Sequence, residues 1–198
     1  VIFFILIFII FYNNLKKKYI EKFTNNKIKK VTVIIYGFAP RSFKYTYKSI
    51  KNKIIDELIK KNIVDTYHFS LLSRNNRIDS SRHNEKNIII NNNDCKLLKC
   101  KKLITKYQED LNINIKNVNC TNYNSKTNLN SLRNLYSEKQ IINKFPINNY
   151  DTCVIITSDS LFLKKINFKE IEDSIVSNCI YTTVFNKYRG IANGFYIG

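Results

Sequence analysis

The chain has 198 residues, 33 Lys and Arg against 15 Asp and Glu, and a formal net charge of +18. That length supports one α/β domain with a sizeable core. Asn, Ile and Lys supply roughly two-fifths of the chain, and all three are read from A/T-rich codons, so the basic balance is weak support for a nucleic-acid partner. The lysines are scattered, and no nucleic acid is expected as a partner; a moderately anionic ligand fits the charge equally well. The five cysteines (Cys95, Cys100, Cys120, Cys153 and Cys179) are odd in number and lack zinc-site spacing.

Residues 1–12 read VIFFILIFIIFY, with no charge. As a helix they rise about 18 Å, short of the roughly 30 Å hydrocarbon core. With no Met at the start, they are expected to be the surviving end of a transmembrane or signal anchor. Lys16, Lys17 and Lys18 follow, and residues 13–30 read as a basic, Asn-rich stem. Membrane attachment through residues 1–12 is therefore expected, with the orientation open. The end of the chain reads as a strand with no terminus after it, so a chain cut at both ends is expected, with a C-terminally incomplete domain over 31–198.

Residues 31–36 (VTVIIY) are a nearly continuous β-branched run, the pattern of a strand buried on both faces. Gly37 breaks it, and 38–42 read as a loop. From 46 to 62 the period is helical, with Ile50, Ile54, Ile55, Leu58 and Ile59 on one stripe. Residues 63–69 read as a second strand, which completes a β-loop-α-β unit and points to a parallel sheet. Residues 73–95 are polar, with a short strand expected around 88–90. A helix is expected over 97–107 and an irregular Asn-rich loop over 111–130. A clear helix is predicted over 131–145, with Ser131 as its cap and Leu132, Leu135, Tyr136, Ile141 and Ile142 as its apolar face; Pro146 stops it. A strand follows at 152–156, then the turn Ser158-Asp159-Ser160, a helix at 168–178 and β-rich runs near 179–185 and the chain end.

In open parallel sheets, ligands sit outside the carboxyl ends of the strands. Segments 37–42, 65–70 and 157–160 are expected there, carrying Gly37, Arg41, Asp65, His68 and Asp159. Gly37 lets the backbone approach a ligand closely. Arg41 offers a planar fork of donors to phosphate. Asp65 can accept bonds from a ribose or base, and Asp159 can ligate Mg²⁺ or Mn²⁺. The chain has no Walker loop, no G-x-G-x-x-G, no G-x-S-x-G and no H-E-x-x-H, which argues against P-loop NTPases, Rossmann dehydrogenases, serine hydrolases and zincins.

The order of these pieces resembles a poorly characterised family of glycosyltransferase-like proteins. The resemblance rests on Gly37-Phe-Ala-Pro-Arg41-Ser42 after the first strand, Thr46-Tyr-Lys-Ser49-Ile50, Val64-Asp65 with His68, Ser131 to Ser137, Tyr150-Asp151 leading to Asp159, and Gly190 to Gly198. It implies the GT-A fold: a Rossmann-like, mostly parallel sheet flanked by helices. It implies transfer of a sugar from a nucleotide-diphospho-sugar donor to a glycan, lipid or protein acceptor, assisted by Mn²⁺ or Mg²⁺. Gly37, Arg41 and Asp65 would lie at the donor, Asp159 at the metal and Asn193 on the acceptor side. The resemblance and the apolar segment together imply a single-pass protein of Golgi or ER type II kind. The acidic turn holds one carboxylate where many GT-A enzymes have two. An inactive sugar-nucleotide or glycan binder of the same fold is therefore the alternative expectation, and a basic nucleic-acid binder the third.

Overall fold

The computed structural model describes residues 29–79, 86–111, 125–177, 179–182 and 195–198. Residues 1–12, nearly all of the stem and Asn193 lie outside the described residues. Among the described residues, no helix is long and apolar enough to cross a membrane.

Strand β1 (Lys29–Gly37) is the centre of the fold, and every residue from 31 to 37 is buried. β-Branched residues at consecutive positions suit a strand covered on both faces. It pairs in parallel with β2 (Asn62–Leu72) on one side and β6 (Thr152–Thr157) on the other. Strand β5 (Lys102–Tyr107) adds in parallel beyond β2. On the far side, β8 (Phe195–Ile197) is antiparallel to β6, and β7 (Tyr181–Thr182) is antiparallel to β8. The six-stranded order is β5-β2-β1-β6-β8-β7, with five strands running one way and β8 reversed. The short strands β3 (Arg77–Ile78) and β4 (Ile88–Ile89) form a separate antiparallel pair.

Among the described residues, three helices cover the sheet. Helix α1 (Ala39–Ile50) runs through a π-helical turn (Lys51–Ile55) into a last α-turn (Asp56–Ile59). With α3 (Phe168–Ser177) it covers one face, where Phe43, Ile50, Leu58 and Ile171 pack on Val33, Ile35, Val154 and Ile156. Helix α2 (Ser125–Lys144) covers the other face, where Ile141 and Phe145 meet Ile34, Tyr36, Tyr67 and Phe69. The protein is thus a mixed α/β domain with a mostly parallel sheet between helical layers, as the alternating pattern of strands and helices required.

Several local expectations need correction. Helix α1 begins at Ala39, so 38–42 is not a loop; Pro40 sits in the first turn, where its missing N–H costs nothing. Strand β2 runs on to Leu72, so 65–70 lies inside a strand instead of leaving one. The helix expected over 97–107 is the strand β5, at the edge of the sheet. Ile59, Leu135 and Ile142 are exposed; Ser137 and Ile141 of α2, and Phe145 just beyond its end, are buried instead. Those three recur every fourth residue, on one helical stripe.

Candidate functional site

From β1 the chain moves outward to β2 and β5, then returns to the opposite side of β1 as β6. The strand order therefore reverses between β1 and β6, and in open α/β sheets the crevice beyond that point is where ligands bind. The carboxyl ends meeting there are Gly37 on β1 and Thr157 on β6, with Tyr36 opposite Thr157 in register.

Gly37 is required at this position. Its φ is +120°, and a Cβ would meet Ser158 Oγ at 3.1 Å. The Ser158 N–H donates to Tyr36 O at 2.7 Å, and Thr46 Oγ1 on α1 donates to Ser158 O at 2.6 Å. Ser160 N–H closes back on Thr157 O at 3.1 Å, and the Thr157 and Ser160 hydroxyls pair at 2.8 Å. These bonds fix a tight turn that holds Ser158 buried and presents Asp159 to solvent. Arg41 lies in the first turn of α1, half-buried, beside the same edge. The amino end of α1 is therefore directed at the crevice, and helix amino ends favour anions.

A second carboxylate reaches this place from α2. Tyr36 Oη donates to Glu138 Oε1 at 2.7 Å. Burial first, then the bond to Glu138 and the charges of Glu138, Tyr196 and Asp159, push the Tyr36 phenol well above its ordinary range. Tyr36 is thereby kept protonated and serves as a fixed donor that orients Glu138. No sequence motif flags this pair, whose members are 102 positions apart. The only hint is Glu138 lying one turn before Ile141 on α2, near the stripe that faces the sheet.

Asp65 is elsewhere. Gly37 pairs with Ser70, so Asp65 lies five residues back along β2, roughly 17 Å from the crevice. Its Oδ2 accepts from Lys101 Nζ and from Tyr150 Oη, each at 2.6 Å, and Tyr150 Oη also meets Tyr67 Oη at 2.6 Å. The Lys101 bond, then the Tyr150 bond, hold its carboxyl below the usual range. His68 is also inside β2. It is fully buried, with Nδ1 at 3.1 Å from Cys95 O and its ring 4.9 Å from that of Phe43. Burial lowers its pKa to about 4, so it is a neutral core residue at physiological pH. The structure thus sets the turn bearing Asp159 against Gly37, starts the helix that bears Arg41 from the same strand end, and keeps Asp65 and His68 apart from them.

The donor set can be tested against a divalent cation. Among the described residues, no group of three or more His, Cys, Asp or Glu side chains converges. Asp159 supplies one exposed carboxylate. Mg²⁺ is commonly held by one or two carboxylates, with water and substrate phosphate completing the shell. The residues present fit an ion that arrives with a diphosphate and do not form a closed cage for a resident one. Compared with known protein families, characterised proteins and solved structures, the chain shows no significant match.

Proposed function

We propose that this chain is a glycosyltransferase-like protein of GT-A type, which binds a nucleotide-diphospho-sugar in the crevice between β1 and β6. The observation that carries the reading is the convergence at the strand-order reversal of Gly37, the amino end of α1 with Arg41, and the exposed Asp159. Arg41 and the helix end favour the diphosphate, and Asp159 lies where a diphosphate-borne Mn²⁺ or Mg²⁺ would be held. The chemistry such an ion supplies is Lewis-acid stabilisation of the diphosphate leaving group. The acceptor oxygen bonds to the anomeric carbon, and the bond from that carbon to the diphosphate breaks with its electron pair. Glu138, oriented by Tyr36, takes the proton of the acceptor hydroxyl.

The decisive assay is release of nucleoside diphosphate from a panel of sugar nucleotides, with Mn²⁺ and with candidate glycan, lipid and protein acceptors. Wild type is expected to turn over at least one donor. Asp159→Ala is expected to lose that turnover, and an equally active Asp159→Ala protein would remove Asp159 from the site. The single carboxylate in the turn after β6 favours one second reading, a protein that binds sugar nucleotides or glycans without transfer. Saturable donor binding with no turnover under any acceptor would establish that reading.

A further inference from the structure

The segment after Asp159 displays apolar side chains to solvent on a rigid support. Residues 158–166 run along α1 and its continuation, pinned at both ends and in the middle. Thr46 Oγ1 donates to Ser158 O at 2.6 Å, Phe162 N–H donates to Ser49 Oγ at 3.1 Å, and Ile166 N–H donates to Lys53 O at 2.9 Å. Phe162 turns inward, its ring 5.3 Å from that of Phe195, and packs against the core. Phe162 is anchored inward while its two neighbours in sequence face outward. Leu161 and Leu163 are accordingly 61% and 82% exposed. One turn before Ser49 on the same side of α1, Tyr45 is 70% exposed.

Single exposed leucines are ordinary on protein surfaces, but two leucines on a pinned segment, alongside the helix that exposes Tyr45, are not scattered residues. Their surroundings are basic. Lys48 and Lys164 are exposed and make no ion pair among the described residues, and Lys44 lies 4.8 Å over the Tyr45 ring. Lys165 is paired with Glu57, which Lys60 also neutralises. Asp159, at the start of the segment, is the acidic group that flanks the patch. Leucine and tyrosine side chains ringed by lysines match the interface of an anionic bilayer, where apolar groups enter the headgroup boundary and lysines meet lipid charge. A nucleic acid would use the lysines and leave the leucines in water. A second copy of the chain would bring like charge against like.

We propose that Tyr45, Leu161 and Leu163, with Lys44, Lys48 and Lys164, form a docking face for an anionic lipid surface. This contact is separate from any made by residues 1–12, and it sets Asp159 and the crevice beside the bilayer. It does not depend on the transferase reading.

The test uses the full chain carrying the photoreactive substitution Leu163→p-benzoylphenylalanine, mixed with phosphatidylcholine vesicles with or without phosphatidylserine. Irradiation is expected to give lipid adducts on the anionic vesicles, and far fewer with the same probe at Lys139, which is on α2 across the sheet. A Lys48→Gln, Lys164→Gln background is expected to lower the adduct yield about fivefold per lysine below saturation. A yield at position 163 equal to that at position 139 overturns the proposal. So does an adduct that goes to added single-stranded RNA, or to another copy of the chain, in preference to lipid. Equal yields on neutral and anionic vesicles would also overturn the electrostatic half of the argument. Because every substituted side chain is exposed, loss of folding does not obscure the result, and circular dichroism of each variant verifies it.

Discussion

His68 gives the most quantitative expectation. Its imidazole is fully buried in β2, and burial lowers its pKa from 6.5 to about 4 in the folded protein. The unfolded chain therefore binds a proton between those values that the folded chain refuses. Stability from this group is complete above the unfolded pKa and is lost as pH falls toward the folded one. Taking those two pKa values, a fall from about pH 7 to about pH 4.5 removes about 2 kcal/mol of folding stability. The variant His68→Gln keeps a donor toward Cys95 O but cannot titrate. Urea unfolding of both proteins at the two pH values isolates the term, because other titrating groups appear in both. Asp94 precedes Cys95, the hydrogen-bond partner of His68. Burial raises its carboxyl pKa, so its contribution has the opposite sign and cancels in the comparison. Wild type is expected to lose about 2 kcal/mol more than His68→Gln on acidification. Parallel stability curves for the two proteins would refute the burial argument.

Gly37→Ala forces a side chain into φ +120° and against Ser158 Oγ, and urea unfolding is expected to show a loss of about 1–3 kcal/mol. Thr46→Val strips the buried carbonyl of Ser158 of its 2.6 Å donor, with an expected loss of about 1–3 kcal/mol in the same assay. Asp65→Asn is expected to leave sugar-nucleotide affinity unchanged, because Asp65 lies well back from the crevice; a clear loss of affinity in calorimetry would reverse that placement. The folded pKa of Asp65 is lowered, so its stabilisation is present above the unfolded carboxyl range and disappears as pH falls through the folded value. The wild-type advantage over Asp65→Asn is accordingly expected at neutral pH and absent in strong acid.

The central strands were legible because burial on both faces leaves a distinct signature. VTVIIY at 31–36 and TCVIIT at 152–157 are continuous β-branched runs, and both are inner strands of the sheet. The β5 segment KLITKY sits at the sheet edge, half-exposed, and its lysines blur the alternation that would mark a strand. The start of α1 was hidden because no Ser, Thr, Asp or Asn caps it; Phe38 occupies that position and makes no side-chain capping bond. At the site, Gly37 and Asp159 were visible as breaks at strand ends. Asp65 was misplaced because β2 continues past it to Leu72, and strand length depends on pairing that local pattern does not record. Glu138 was invisible because its importance comes from Tyr36, a partner supplied only by the fold.

The central claim is that the crevice between β1 and β6 binds a nucleoside diphosphate sugar through Asp159. It is tested most directly by titration calorimetry of the folded chain against a donor panel, with and without Mn²⁺, in wild type and Asp159→Ala. The account predicts saturable wild-type binding that strengthens with Mn²⁺, and loss of that strengthening in Asp159→Ala. Failure of the folded wild type to bind any donor, or an identical response to Mn²⁺ in Asp159→Ala, would contradict it.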